Sequence, residues 1–153
     1  MPNTSGICVG FLLAILKGQI KLLASGGDTI KGALYLTSAT INASTANYTT
    51  SGELTNGSGS GYTAGGATLT NANPSSNGTS TSGNAAFWTP AGGTIVWNAL
   101  TSSAAFDTLL VYDSTAGVAM SVHNFGAQNI TAGTLTLTLP TNAQGTALIE
   151  LDY

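Results

Sequence analysis

Residues 134–139 of this 153-residue chain read Thr-Leu-Thr-Leu-Thr-Leu, and this alternation limits the possible folds more than any other feature. Successive side chains of an extended strand point to opposite faces, so three leucines would face a core and three threonines would face outward. Pro140 follows directly and predicts the end of the strand. The segment therefore predicts a strand in a sheet with one buried face.

Several other segments carry strand signals, separated by turns rich in Gly and Asn. Residues 29–37 hold apolar side chains on both faces, with Ile30 and Leu34 on one and Tyr35 on the other, which is typical of a strand buried between two layers. This spacing predicts an all-β fold, a β-sandwich or jelly-roll-like single domain over residues 25–153. The remaining predicted strands lie at 61–70 (turn plus strand), 85–88, 94–97, 109–112, 118–125 and 147–153, and 71–84 is predicted to be an exposed loop.

Charged residues make up only 6% of the chain, against about 25% in typical soluble domains. Three Lys and six Asp and Glu give a net charge of −3, and there is no Arg. A surface with so little charge lacks the repulsion that keeps monomers apart, so we expect copies of the chain or a larger lattice to cover much of it. So few cations also argue against nucleic acid as a partner.

Residues 1–24 stand outside the alternating pattern and predict a short helix or an extended arm. Phe11 with Ile15, and Leu12 with Leu16, have helical spacing, while two glycines in the segment weaken the helix prediction. Our hypothesis is that these four residues contact the partner or an oligomer mate. Deleting 1–24 would then abolish that contact and leave the β-domain soluble.

The same N-terminal segment does not predict a membrane-spanning or secretory element. Its apolar run is interrupted by Lys17 and Lys21 after about ten residues, too short for a bilayer. Nothing basic precedes the run and no small-residue cleavage site closes it, so a signal peptide is not expected. The sequence therefore favours docking on protein over a membrane partner.

No set of residues predicts catalysis, a cofactor or a metal. A triad of Ser121, His123 and Asp113 is conceivable, but Ser and His two apart on a strand merely share a face, and no G-x-S-x-G turn is present. The acids are scattered and sit mostly at turns. Cys8 is the only cysteine and is expected to be a small buried hydrophobe, with an intermolecular disulfide or a reactive thiol as alternatives. The chain is therefore not expected to be an enzyme.

Two further groups of residues have a structural and a binding interpretation. The glycine-rich segment 61–66 lacks the features of a phosphate loop and predicts a turn with a bulge. Large aromatic side chains could form a carbohydrate platform, although such residues more often lie in a core or an interface. They are Tyr62, Trp88, Trp97, Tyr112 and Phe125.

From residue 28 onward the chain resembles a family of small virion proteins of tailed bacteriophages. The family pattern is Asp-Thr-Ile-Lys-x-Ala-Leu-Tyr, then Tyr-Thr-x-x-x-Glu, then Gly-Tyr-Thr-Ala-Gly-Gly-x-x-Leu, and 28–35, 48–53 and 61–69 match it in that order. Later matches are 111–113, 124–126, 134–140 and 147–151. The family's turn motif falls on Gly61, Tyr62, Thr63, Gly65 and Gly66.

The resemblance implies a capsid decoration, or cement, protein with a jelly-roll-like fold on the outer capsid surface of the virion. The implied partners are the major capsid protein and further copies of the chain, as a homodimer or homotrimer. A tail- or fibre-associated structural protein is the main alternative, and a carbohydrate-binding module is a second one. The apolar N-terminal segment and the loop at 71–84 depart from the family pattern.

Overall fold

The computed structural model describes residues 3–55, 61–77 and 85–152, which form ten strands and one helix. In chain order these are β1 (Gly6–Ile7), α1 (Val9–Leu16), β2 (Ile30–Leu36), β3 (Ala67–Thr68), β4 (Ser75–Ser76), β5 (Ala85–Trp88), β6 (Thr94–Leu100), β7 (Phe106–Asp113), β8 (Val118–Gln128), β9 (Gly133–Thr138) and β10 (Ile149–Asp152).

The strands form three antiparallel sheets. The largest has five strands in the order β1-β8-β7-β2-β3, and the others are β10-β5-β4 and β6-β9. The predicted all-β class is therefore confirmed. These strand orders do not establish the jelly-roll part of the prediction.

The five-stranded sheet is buried on both faces. One face packs through Ile30, Leu34 and Leu109 into a core shared with both smaller sheets. The other face forms a smaller cluster, which includes Ala33 and Tyr35 of β2, and residues of the 39–48 segment cover it. The prediction that β2 lies between two layers is confirmed.

β9 carries the alternation that the sequence made most prominent. All three of its threonines are exposed, whereas Leu135 and Leu139 are buried and Leu137 packs against the core. The strand pairs with β6 from Thr94 to Leu100, three residues beyond the predicted end of that strand. Period two thus identified the strand and its buried face correctly.

The N-terminal segment is part of the β-domain and not a separate unit. Gly6 and Ile7 of β1 pair with β8. The Asn3 amide donates to Asp107 Oδ1 at 2.7 Å, and its Oδ1 accepts from the Ile41 N–H at 3.0 Å. The boundary predicted at residue 24 is therefore not a structural boundary, because residues on both sides of it share one core.

Part of the loop predicted at 71–84 is ordered against the sheet. Ser75 and Ser76 pair with β5, and the Trp88 indole N–H donates to the Ala72 carbonyl at 2.8 Å. Residues 78–84 lie outside the described residues. The described part of this segment therefore includes a hydrogen-bonded edge strand of the three-stranded sheet, and residues 73–76 are exposed as predicted.

Candidate interaction surface

α1 is a two-turn helix with a glycine near each end. Gly10 lies so close to the 46 carbonyl that a Cβ would sit 2.0 Å from that oxygen, which requires glycine there. Gly18 adopts φ +64° directly after the helix, the left-handed conformation that commonly ends helices. The two glycines that weaken the helix by propensity are therefore the residues that fit it to its surroundings.

The helix buries a narrow face and exposes the rest. Phe11 is 1% exposed and Ala14 is buried beside it. Six of the seven large hydrophobic side chains that are exposed among the described residues lie between 9 and 23. These six form what we call the N-terminal apolar surface: Val9, Leu12, Leu13, Ile15, Leu16 and Leu23.

The outcome for the four predicted contact residues is divided. Phe11 packs in the chain's own core, so its predicted role in an external contact is wrong. Leu12, Ile15 and Leu16 are exposed, and Leu16 reaches 85%. Both i, i+4 pairs are apolar, so spacing alone could not indicate which pair faces inward.

An apolar groove adjoins this surface. It has a volume of about 170 Å³ and lies between the N-terminal segment and the three-stranded sheet. Ile15, Ile20 and Leu22 line one side, and Phe87 and Leu151 line the other. Exposed helix residues and the groove thus form one continuous apolar region.

The exposed ionisable side chains lie on the elements that border this region. Among the described residues, the fully exposed ones are Lys17 and Lys21 after α1, and Asp152 on β10. The other carboxylates are buried or partly buried, including Glu53 and Asp113. The apolar region therefore has cations on one flank and a carboxylate on another.

Sequence reasoning missed a second constellation, in which Glu53 is the central residue. This carboxylate is 3% exposed and lies beside β2. Oε2 accepts from the Tyr48 hydroxyl at 2.5 Å, while Oε1 accepts from the Tyr62 hydroxyl at 2.6 Å and from the Gly65 N–H at 2.6 Å. These three donors thus replace the hydrogen bonds to water that the carboxylate loses on burial.

The predicted turn motif supplies part of this network. Gly66 has φ +72°, and a Cβ there would lie 1.9 Å from the Gly32 carbonyl, so the turn can approach β2 only with glycine. The N–H of Gly66 donates to the Thr63 carbonyl at 2.9 Å. Tyr62 also accepts from the Leu34 N–H at 3.0 Å, which ties the turn to the sheet. In the structure the motif therefore forms a turn that packs against β2.

Further tyrosines surround the same carboxylate. The rings of Tyr48 and Tyr112 stack with centroids 4.3 Å apart, and the Tyr112 hydroxyl donates to the Gly65 carbonyl at 2.8 Å. Tyr35 donates to the Thr49 carbonyl. Burial first, then the nearby Glu53 charge, raises the pKa of Tyr112 to about 12. Burial and Glu53 likewise raise the pKa of Tyr48 and Tyr62, so these phenols stay protonated and act as donors.

The conceivable triad does not assemble. Ser121 Oγ and His123 Nε2 lie 2.9 Å apart. Asp113, however, pairs with Val118, whereas His123 pairs with Leu109, four residues away along β7. Burial lowers the pKa of His123 to about 4, so the ring is neutral near pH 7. The pair therefore lacks a carboxylate that could orient the imidazole.

Two other expectations from the sequence concern buried residues. Cys8 is buried, and burial raises the pKa of its thiol to about 12, which matches the small buried hydrophobe and not a reactive thiol. Trp88 and Trp97 are only 2% and 5% exposed, and Tyr62 and Tyr112 are also buried. The proposed carbohydrate platform is wrong in these residues, because their rings fill the core.

Comparisons with protein-family models, curated proteins and solved structures give no match to this chain. Within the described ranges, no helix has the length and hydrophobicity needed to cross a bilayer. The same ranges contain no group of three or more His, Cys, Asp or Glu side chains placed to hold a metal ion. The N-terminal apolar surface and the adjoining groove therefore remain as the main indications of function.

Proposed function

We propose that the chain is a structural protein of a tailed-bacteriophage virion that decorates the outer capsid surface and bridges neighbouring major capsid subunits. The observation that carries the proposal is the N-terminal apolar surface, because large apolar side chains clustered on one exposed face usually mark a protein contact. The resemblance of residues 28–151 to phage virion proteins supplies the identity of the partner.

The mechanism is thermodynamic linkage and requires no chemical step. A protein that binds the assembled shell and not the free subunits stabilises the shell by mass action. α1 is fixed to the domain by Phe11 and by β1, so little ordering entropy opposes docking. Leu12, Leu16 and the adjoining groove would then lose their water on contact with the capsid or with a second copy.

The low surface charge is consistent with a role in a lattice. Ser, Thr and Asn side chains can exchange water for protein hydrogen bonds at lower cost than ions can. Among the described residues, the outer strands β3 and β10 each pair with a single neighbouring strand, and strand addition to such an edge is a common mode of attachment. A homodimer or homotrimer is the expected form of the decoration unit.

Cryo-electron microscopy of virions that carry the chain tests the proposal. Density for the β-domain on the icosahedral shell, bridging capsomers, is the expected result. Density in the neck, tail or fibres would overturn the capsid assignment and favour the tail-associated alternative.

A matched pair of variants then tests the surface itself. Leu12→Ser with Leu16→Ser changes the N-terminal apolar surface, whereas Val96→Ser changes an exposed hydrophobic residue elsewhere. We expect the double variant to lose shell occupancy and the Val96 variant to keep it, with both remaining folded by circular dichroism. Equal occupancy of all three proteins would show that attachment uses another face.

A further inference from the structure

Two carboxylates distant in sequence lie together at one end of the five-stranded sheet. Asp113 pairs with Ile30 across β7 and β2, so the two side chains share the face on which Ile30 packs. Asp28 precedes Ile30 by two residues, and its carboxyl lies within hydrogen-bonding reach of the Asp113 carboxyl. Only the fold brings them together, which explains why the scattered acids of the sequence predicted no metal site.

Asp113 is buried with half of its carboxylate unsatisfied. Its Oδ1 accepts from the N–H groups of Thr115 at 2.7 Å and Ala116 at 3.2 Å. Among the described residues, its Oδ2 accepts from no N–H or hydroxyl group, although Asp113 is 0% exposed. Burial raises the pKa of Asp113, and the two N–H groups oppose that shift. The Asp28 carboxyl adds to the increase, both through its charge and through a hydrogen bond between the two carboxyls. A buried oxygen that meets another carboxyl instead of a donor needs a positive charge or a proton.

A third buried oxygen belongs to a residue that lies opposite Asp28. Continuing the β2–β3 register of Lys31 with Thr68 places Asn71 opposite Asp28. The Asn71 amide donates to the Asp28 carbonyl at 2.8 Å and to the Leu23 carbonyl at 3.2 Å, which leaves its Oδ1 buried without a partner. Both buried side-chain oxygens that lack a partner among the described residues therefore belong to neighbours of Asp28.

We infer that Asp28, Asp113 and Asn71 bind a hard divalent cation, Ca²⁺ or Mg²⁺. Two carboxylates and an amide oxygen are the donors that these ions prefer, and both ions commonly complete their shells with water. A cation would satisfy the orphan oxygens and remove the repulsion between the carboxylates. The inference goes beyond the proposed function and does not depend on it.

The position of the site defines what the ion would stabilise. Asp28 Oδ2 accepts from the Lys21 N–H at 2.7 Å, and the Asp28 N–H donates to the Lys21 carbonyl at 2.9 Å. Together with the bond from Asn71 to Leu23, these contacts clamp the chain between α1 and β2. A bound ion would therefore hold the segment that carries Leu23 of the N-terminal apolar surface.

Thermal unfolding with CaCl₂ or MgCl₂ tests the inference on the full chain at pH 7. At 100 times the dissociation constant we expect Tm to rise by roughly 5–10 °C, reversibly with EDTA. NaCl at matched ionic strength controls for screening. Isothermal titration of each salt up to about 10 mM covers the weakest calcium sites of proteins.

Matched variants locate the effect. Asp113→Asn and Asp28→Asn should each weaken binding by at least about tenfold, because ligand charge sets the affinity. Asp113→Asn should also raise the Tm of the ion-free protein, since its amide can donate to Asp28. Asp152→Asn removes an exposed carboxylate from β10 and should leave binding unchanged.

Two results would overturn the inferred cation site. No heat and no Tm shift with either ion would mean that the two carboxyls share a proton, which would overturn the site. A Tm rise of the same size in wild type, Asp28→Asn and Asp113→Asn would place the ion elsewhere on the chain and overturn it as well. If one variant does not fold, the other still decides between these results.

Discussion

Charged side chains are usually exposed and large apolar ones buried. The Glu53 network departs from the first rule, and the N-terminal apolar surface departs from the second. In the first, a carboxylate is buried and every contact that it needs comes from the chain itself, through Tyr48, Tyr62 and Gly65. In the second, aliphatic side chains such as Leu16 are exposed. The first region is complete within one chain, whereas the second gains its full burial only from another molecule.

The two regions therefore contribute to different properties of the protein, folding in the first case and association in the second. A buried carboxylate with three donors fixes the geometry of the loops around it, because any displacement leaves an unpaired charge. An exposed apolar helix face adds less to folding than a buried one, and its burial by another molecule would be favourable. Mutations should accordingly separate the two: folding depends on the first, and association depends on the second.

Deletion of residues 1–24 has the largest expected effect, because it removes buried core residues as well as most of the N-terminal apolar surface. It removes β1, Cys8 and Phe11 together with the exposed leucines, and loss of a buried Phe side chain alone costs about 3–5 kcal/mol. We expect the truncated chain to lose cooperative thermal unfolding, contrary to the soluble β-domain that the sequence suggested. A truncated chain with wild-type Tm would show that the N-terminal packing is dispensable.

Substitution within the Glu53 network comes next. Glu53→Ala leaves two phenols and an N–H without their acceptor, and we expect a loss of about 3–5 kcal/mol in the free energy of unfolding measured in urea. Tyr48→Phe removes one donor at a half-buried position and should cost about 1 kcal/mol. In a double-mutant cycle, Tyr48→Phe should cost much less once Glu53 is Ala. Additive effects would contradict a shared network.

Sequence patterns predicted the elements whose signal is local. β9 follows from period two alone, and the turn at 113–117 from its residues. For α1, sequence patterns do not decide between a helix and an arm, because Gly10 and Gly18 both have low helix propensity. Only the folded structure explains these glycines: Gly10 approaches the 46 carbonyl closely, and Gly18 adopts a positive φ. Local patterns thus identify elements better than they identify contacts between elements.

The candidate sites show the same limit. Glu53, Tyr48 and Tyr62 were all visible as motif residues, but no local pattern specifies that the two tyrosines bond to Glu53. The helix spacing could not distinguish the inward Phe11 from the outward Leu12 because both are apolar. Trp88 and Trp97 could not be assigned to core or surface for the same reason, since burial depends on which sheets face each other.

His123 is intermediate between the two regions, because it has one polar partner and lines a cavity whose other residues are mostly apolar. It bonds to Ser121 and lines a cavity with Leu109, Phe125 and Leu137. Burial lowers its pKa to about 4, below the usual 6.5 of the unfolded chain. The unfolded state therefore binds the proton more tightly, and stability falls as the pH drops from about 6.5 to about 4.

The expected loss across that pH range is roughly 2 kcal/mol, after allowance for the partly exposed ring. Urea unfolding at a series of pH values measures it, and His123→Asn serves as the control that retains a polar side chain. The carboxylates also titrate in this range, so the quantity of interest is the difference between the two proteins. Parallel stability curves for wild type and variant would mean that the imidazole titrates normally.

The smallest effect on folding is expected for substitutions in the N-terminal apolar surface. A small effect there would separate the role of this surface in association from a role in folding. Leu12→Ser with Leu16→Ser should change the free energy of unfolding by no more than about 1 kcal/mol in total, because both side chains are exposed in the folded chain. Sedimentation velocity should nevertheless show a loss of self-association, if the wild-type chain associates through this face, while Val96→Ser does not change it. A large loss of stability in the double variant would show instead that these leucines support the fold, and the distinction between the two regions would fail.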